Sequence, residues 1–221
     1  RAKIGLSFMI SLVIFPSVAD TPFVIPEGLL PYSLVLLREV ILGTVIGFVV
    51  LLLFIGIQFA GQIAGLQMGF GIVNILDPQS GDHVSIVGQF LNILATLLVL
   101  CFDGHHIILN GLMSSFEAVP LAGVMLKATI GQKMIELTAM TFIVAIKISA
   151  PIILALFSVT VAMGILARTV PQMNVFIVGF PVQLAVGLFV LVASLPLFNV
   201  LLEKSLIALQ SDLYALLDFF G

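Results

Sequence analysis

The hydrophobic pattern divides the chain into long apolar runs separated by short polar or proline-containing connections. The runs fall at about 4–19, 34–66, 84–102, 134–167 and 175–202, and an amphipathic piece follows near 203–220. A helix needs about 20 residues to cross the hydrocarbon of a bilayer. The pattern therefore predicts an all-α membrane protein.

Two of these runs fit a single straight span badly. Residues 34–66 are too many for one straight crossing, and residues 134–167 include Lys147 and Pro151, which predicts a kink or a break. Broken helices are tolerated at membrane depth only where other protein covers their open backbone groups. The pattern therefore favours helices that are packed inside an assembly.

Composition supports the membrane class. Hydrophobic residues make up 61% of the 221 residues and charged residues only 9%, too few to cover the surface of a soluble domain. The net charge of -3 gives no reason to expect a nucleic-acid partner. The single cysteine excludes an intrachain disulfide.

Glycines spaced four residues apart mark one stretch for close helix contact. Small residues at this spacing share a helix face and let a neighbouring backbone approach. We predict a packing role for Gly43, Gly47, Gly61 and Gly65. The alternative is that glycine is simply common in membrane helices.

Three charges lie within or beside an apolar run. Lys133 and Glu136 are three residues apart, so they can pair on a helix, and Lys147 follows on nearly the same face. Placing such a group at membrane depth costs about 2.5–3.5 kcal/mol or more. One interpretation is a proton or ion relay through Glu136 and Lys147. We favour contact with a neighbouring subunit or a wet lumen, because Glu136 is the only acid in its run.

Candidate catalytic and metal-binding residues do not form a usable pattern. Ser80, Asp82 and His83 are too close in sequence to converge as nucleophile, base and orienting group. His105 and His106 lack a four-ligand spacing. We therefore expect neither an enzyme nor a metal or cofactor site.

Four segments resemble one known family. They are "RAKIGL" at 1–6, "GLQMGFGIVNILDPQSG" at 65–81, "FDGHHIILNGLMSSFEAVPLAG" at 102–123 and "ARTVPQMNVFIVGFPVQ" at 167–183. In this order they resemble the FliR family of flagellar export proteins over nearly the whole chain. Members of that family usually carry about one more hydrophobic helix before the first motif, so we expect one helix to be missing before Arg1.

The resemblance implies a function. A member of this family is the single-copy subunit of the flagellar type III export gate in the bacterial inner membrane. It packs with FliP and FliQ into a helical hetero-oligomer in the basal body, with FlhB and FlhA at the base. Unfolded rod, hook and filament proteins pass through this gate. The resemblance further implies a FliP-like part at 1–125 and a FliQ-like helical hairpin at 126–221.

The resemblance also implies that the loop at 67–84 enters the pore and helps to close it. Apolar side chains exclude water, methionine fits irregular gaps, and glycine lets the backbone move. The residues expected to form this plug are Met68, Gly69, Phe70, Gly71, Ile72, Val73 and Ile75, and those expected in its turn are Asp77, Pro78 and Gly81. The alternative is a helix end packed against its neighbours.

The C-terminal hairpin is predicted to turn near residue 171. Proline suits a turn or a first helical position, and Pro181 predicts a second break because it disfavours helix at the residue before it. The residues expected to shape the turn are Arg168, Pro171, Asn174, Gly179 and Pro181. A basic residue beside the turn favours the cytoplasmic side. Ordinary helix termini are the alternative.

Two other functions stay open at this point. One is the homologous subunit of a virulence type III secretion system. The other is a small-molecule secondary transporter, a class that usually shows internal repeats and binding groups at the midplane. The chain shows no convincing repeat, and few polar residues lie in its apolar runs.

Replacing Glu136 tests the relay interpretation. We expect Glu136→Gln to leave transport activity unchanged, because a single acid does not make a proton pathway. The measurement is the amount of protein secreted by cells that carry the variant. A loss of secretion at normal protein level would restore the relay interpretation.

Overall fold

The computed structural model describes residues 2–19, 27–71, 85–125, 127, 129–172 and 174–220. Within these residues all regular structure is helical, which confirms the predicted all-α class. The helices are α1 (Ala2–Ala19), α2 (Leu29–Gln67), α3 (Ile86–Cys101), α4 (Gly104–Ala118), α5 (Thr129–Thr169) and α6 (Val175–Leu217).

Among the helices of the described ranges, three are long and apolar enough to cross a membrane: α2, α5 and α6. A further candidate span consists of α3 and α4 together, which a short break separates. At 1.5 Å per residue, the 39 residues of α2 extend about 58 Å, well beyond the hydrocarbon thickness of about 30 Å. The long second run is therefore one helix, and it must tilt in the membrane or protrude from it.

The described residues form two compact units. One lies within Arg1–Val50, His105–Ile135 and Ala208–Gly221, and the other within Leu51–Gly104 and Glu136–Ile207. Each unit combines chain from both sides of residue 125. The division into a FliP-like part at 1–125 and a FliQ-like hairpin at 126–221 is a different kind of division, based on resemblance, and it stays a prediction.

The core of the second unit is built around one face of α2. The four residues of this face that are fully shielded from solvent are Ile57, Ala60, Ala64 and Met68. Their spacing of three or four residues follows the helical repeat. Two of the four are alanines, so neighbouring helices come close to the α2 backbone along this face.

The first unit is held together by contacts between segments distant in sequence. The Ala122 N–H donates a hydrogen bond of 3.0 Å to Glu39 Oε1, and Ala122 has a φ of 65°, a conformation that is strained for alanine. The Met125 N–H donates to the Phe220 carbonyl at 2.9 Å. These bonds fix the connection between α4 and α5 against α2 and the C-terminal end.

The predicted breaks at two prolines are not present, and a kink at Pro151 stays a prediction. α5 continues through Pro151, and α6 continues through Pro181 and into the amphipathic piece predicted near 203–220. A proline removes one hydrogen bond, but the turns on either side keep theirs. In an apolar environment the backbone groups of those turns have no better partner than the helix itself.

Candidate functional site

The site begins where α2 ends, inside the glycine-rich segment. The Phe70 N–H donates to the Gly65 carbonyl at 3.0 Å, and the Gly69 N–H donates to the Leu66 carbonyl at 3.1 Å. Gly69 has a φ of 91°, the left-handed conformation that glycine adopts without strain. This combination is the Schellman motif, which satisfies the last carbonyls of a helix. The C-terminal end of α2 is therefore capped and has a defined backbone conformation.

Met68 is inserted into a notch on α6. The side chain is 0% exposed, and the notch lies at Gly187, which is also buried. A Cβ placed on Gly187 would lie 2.6 Å from Met68 Cγ and 2.7 Å from Met68 Cε. The thioether fits only because position 187 has no side chain.

A second contact with α6 lies at the next residue. A Cβ placed on Gly69 would lie 2.7 Å from Cε2 of the Phe180 ring. Phe180 and Gly187 are seven residues apart, about two helical turns, so they lie on the same face of α6. That face of α6 therefore holds two consecutive residues of the α2 end.

The last turns of α2 also contact the start of α3, through Gly61 and Gly65. A Cβ on Gly61 would collide with the Cα of Gly88, and a Cβ on Gly65 would collide with Ser85 Oγ. The Ser85 hydroxyl donates to the Gly61 carbonyl at 3.2 Å and accepts from the Gly88 N–H at 3.3 Å. Ser85 thus caps α3 and joins it to α2 in one interaction.

The described part of the predicted plug is this packed helix end. Met68 is fully buried, whereas Gly69, Phe70 and Gly71 are half-buried. The remaining predicted plug and turn residues lie outside the described residues: Ile72, Val73, Ile75, Asp77, Pro78 and Gly81. The packed helix end was the alternative for this segment, and it accounts for residues 65–70. The closing role of the loop stays a prediction.

The four glycines predicted to serve packing occupy two different environments. Gly61 and Gly65 are buried against α3, as described above. A Cβ on Gly43 or Gly47 would meet nothing within 4 Å. A packing role for Gly43 and Gly47 stays a prediction, because no described residue lies within 4 Å of a Cβ at either position.

The connection between α5 and α6 is short and capped. Arg168 lies in the last turn of α5, and Pro171 lies in the turn that follows. The carbonyl and side-chain oxygens of Asn174 accept hydrogen bonds from the Ile177 N–H at 3.1 and 3.4 Å. Asn174 therefore begins α6 as its N-terminal cap.

Gly179 and Pro181 lie inside α6 rather than in this connection. Gly179 is buried, and a Cβ there would lie 3.4 Å from Met163 Cε on α5. Gln183 Nε2 donates a long hydrogen bond of 3.4 Å to Thr160 Oγ1 one turn further on. Gly179 thus lies in the contact between the two helices, and a role of Gly179 or Pro181 in shaping the turn stays a prediction.

A sequence profile described as "Bacterial export proteins, family 1" matches residues 1–208. The chain belongs to this family. It is 35% identical to the flagellar biosynthetic protein FliR of Bacillus subtilis over 209 residues, which cover 91% of this chain and 78% of the relative. It is 35% identical to FliR of Pectobacterium carotovorum, covering 89% of this chain and 75% of that protein.

A third FliR relative, from Escherichia coli K12, is 29% identical over 197 residues, again covering 89% of this chain and 75% of the relative. The names of these relatives describe flagellar biosynthesis. Membership of the export family agrees with the resemblance in the four segments at 1–6, 65–81, 102–123 and 167–183, and with the membrane-spanning character of the long helices.

In this export-family chain, the charged residues predicted to contact a subunit or a lumen all lie on α5. Lys133 Nζ lies 3.4 Å from Asp212 Oδ1 at the C-terminal end of α6. Glu136 and Lys147 are exposed. The Lys133–Asp212 pair connects two elements of the first unit, and the subunit or lumen role of these charges stays a prediction.

Sequence reasoning missed several residues of the site. Phe180 and Gly187 are not among the residues that the sequence predicts for a site. A glycine inside a helical pattern marks a close backbone approach, and this signal was available for Gly187. A serine directly before an apolar run marks a helix cap, which applies to Ser85. No local signal names the helix that each of these residues contacts.

A pair of glycine substitutions on α2 tests the packing at the site. Gly61→Ala is expected to destabilise the chain by about 1–3 kcal/mol, because the added methyl collides with the α3 backbone. Gly47→Ala, on the same helix, meets nothing and is expected to be neutral or to stabilise by up to about 1 kcal/mol through helix propensity. Thermal unfolding of the purified chains in detergent measures both effects. Equal melting temperatures for the two variants would contradict the packing of Gly61 on α3.

Proposed function

We propose that this chain is the single-copy pore subunit of a flagellar type III protein export gate. The observation that carries the proposal is the family match along residues 1–208, with relatives named as flagellar biosynthetic proteins. In this gate the chain assembles with FliP and FliQ, with FlhB and FlhA at the base, in the bacterial inner membrane at the basal body. Its role is to form part of the pore for unfolded rod, hook and filament proteins, which requires neither catalysis nor a cofactor.

The exposed apolar surface of the chain supports a place in an assembly. The most apolar windows of α2, α5 and α6 are only 33%, 28% and 17% buried within the chain. Exposed apolar surface costs about 25 cal/mol per Å² in water. These faces therefore need lipid or other apolar helices against them, and a multi-subunit gate supplies both.

The loop at 67–84 is proposed to help close the pore. Its first residues leave a capped helix end, so the segment starts from a defined position. The residues that follow, from Ile72 to Ile75, are mostly apolar and uncharged, which suits a barrier to ions. An apolar constriction excludes water and ions without binding any particular substrate sequence.

Deletion of the gene tests the export role. We expect hook and filament protein to disappear from the culture medium and swimming to stop, because the pore lacks one of its subunits. A plasmid copy of the gene is expected to restore both. Normal flagella in the deletion strain would contradict the flagellar assignment and would favour a virulence secretion system or a transporter.

A shorter loop tests the closing role. Cells that carry a variant lacking residues 70–73 are expected to leak small ions through the resting gate, because the apolar barrier is reduced. Membrane conductance, measured at matched amounts of assembled complex, reports the leak. Conductance at the level of the unaltered protein would contradict the plug.

A further inference from the structure

The last turn of α2 is held from two sides by different helices. On one side, Gly61 and Gly65 are in contact with Gly88 and Ser85 at the start of α3. On the other side, Met68 fills the notch at Gly187. Contacts on two sides restrict both translation and rotation of the helix end.

The backbone N–H groups of residues 68–70 at this end are all hydrogen-bonded. The Met68 N–H donates to the Ala64 carbonyl at 2.9 Å, and the two bonds of the Schellman motif follow at Gly69 and Phe70. Gly69 therefore has a defined left-handed backbone conformation and lies close to the Phe180 ring. A glycine used as a free hinge would have neither.

We propose that Gly187 and Phe180 are positioning residues, which hold residues 65–70 in one place while export substrates pass. This inference rests on the proposed function and adds separate roles for the end of α2 and for α6. The end of α2 is a fixed anchor, and the anchor is set by α6. Gly187 supplies the space for Met68, and Phe180 covers Gly69.

A disulfide between positions 68 and 187 tests whether the anchor is fixed. A Cβ on Gly187 would lie 2.6 Å from Met68 Cγ, so the Cβ atoms of two cysteines there would lie within about 4 Å, as a disulfide requires. The variant is Met68→Cys with Gly187→Cys, in a chain whose exposed Cys101 is replaced by serine. The control pairs Met68→Cys with Leu188→Cys, because Leu188 is adjacent on α6 but 46% exposed.

Cells are oxidised, and the free thiols of the denatured chain are then counted by alkylation with a maleimide polymer. We expect the 68–187 pair to lose both thiols and the 68–188 pair to keep them. Secretion by the oxidised 68–187 variant is expected to equal secretion by the same variant after reduction. If the disulfide does not form, the contact is absent from the assembled gate. If it forms and stops secretion until it is reduced, the α2 end has to move. Either result overturns the proposal.

A methyl group at position 187 tests the positioning role directly. We expect Gly187→Ala to raise the ion leak of the resting gate several-fold at an equal amount of assembled complex, because Met68 is displaced. Adding Met68→Ala makes room for the methyl and is expected to lower the leak again. Gly164→Ala is the control, since a Cβ at Gly164 on α5 meets nothing within 4 Å.

If the variant lacking residues 70–73 leaks and Gly187→Ala leaks no more than Gly164→Ala at an equal amount of assembled complex, the positioning role is overturned. The outcome is separable from the proposed function. If the variant lacking residues 70–73 does not leak, the closing role fails. The disulfide result still decides whether the α2 end is fixed.

Discussion

The close approach of α2 to α3 is the contact on which the second unit depends. In an apolar environment helices gain little from burying apolar surface, so they associate through van der Waals contact and hydrogen bonds between closely packed backbones. Gly61 and Gly65 permit that approach, and the Ser85 hydroxyl adds a hydrogen bond to the Gly61 carbonyl. Any side chain at these positions would separate the helices, and the turn at Gly69 would shift with them.

The contact with α6 also depends on a glycine that allows close packing. Here the glycine lies on the long C-terminal helix, and the α2 residue is the one with a side chain. Methionine is unbranched and has a polarisable thioether, so it fills an irregular notch with little strain. The α2 end thus presents small residues to one neighbour and a large residue to the other. This asymmetry fixes the rotation of the helix about its axis.

A fixed helix end suits a gate for unfolded chains. The proposed gate has to yield to many different sequences and still close against ions, and a fixed helix end gives the proposed plug a constant starting point. The buried Met68 and the capped backbone at Gly69 and Phe70 provide that rigidity within one chain. The most apolar parts of α2, α5 and α6 are mostly not buried within the chain.

Local patterns in the sequence were sufficient for the membrane class, for the long helices and for the export-family resemblance, because each depends on composition, periodicity or contiguous motifs. The spacing of Gly61 and Gly65 marked a close contact, but glycines with identical spacing at 43 and 47 meet no described residue within 4 Å. Pro151 and Pro181 predicted interruptions, and the helices continue through both. Lys133 also lies beside Asp212 at the far end of α6, a partner that the sequence does not indicate. Sequence by itself determined which faces are small, apolar or charged. Only the tertiary structure decided which distant helix meets each face, because helical periodicity fixes the direction of a side chain relative to its own axis and carries no information about the element that packs against it.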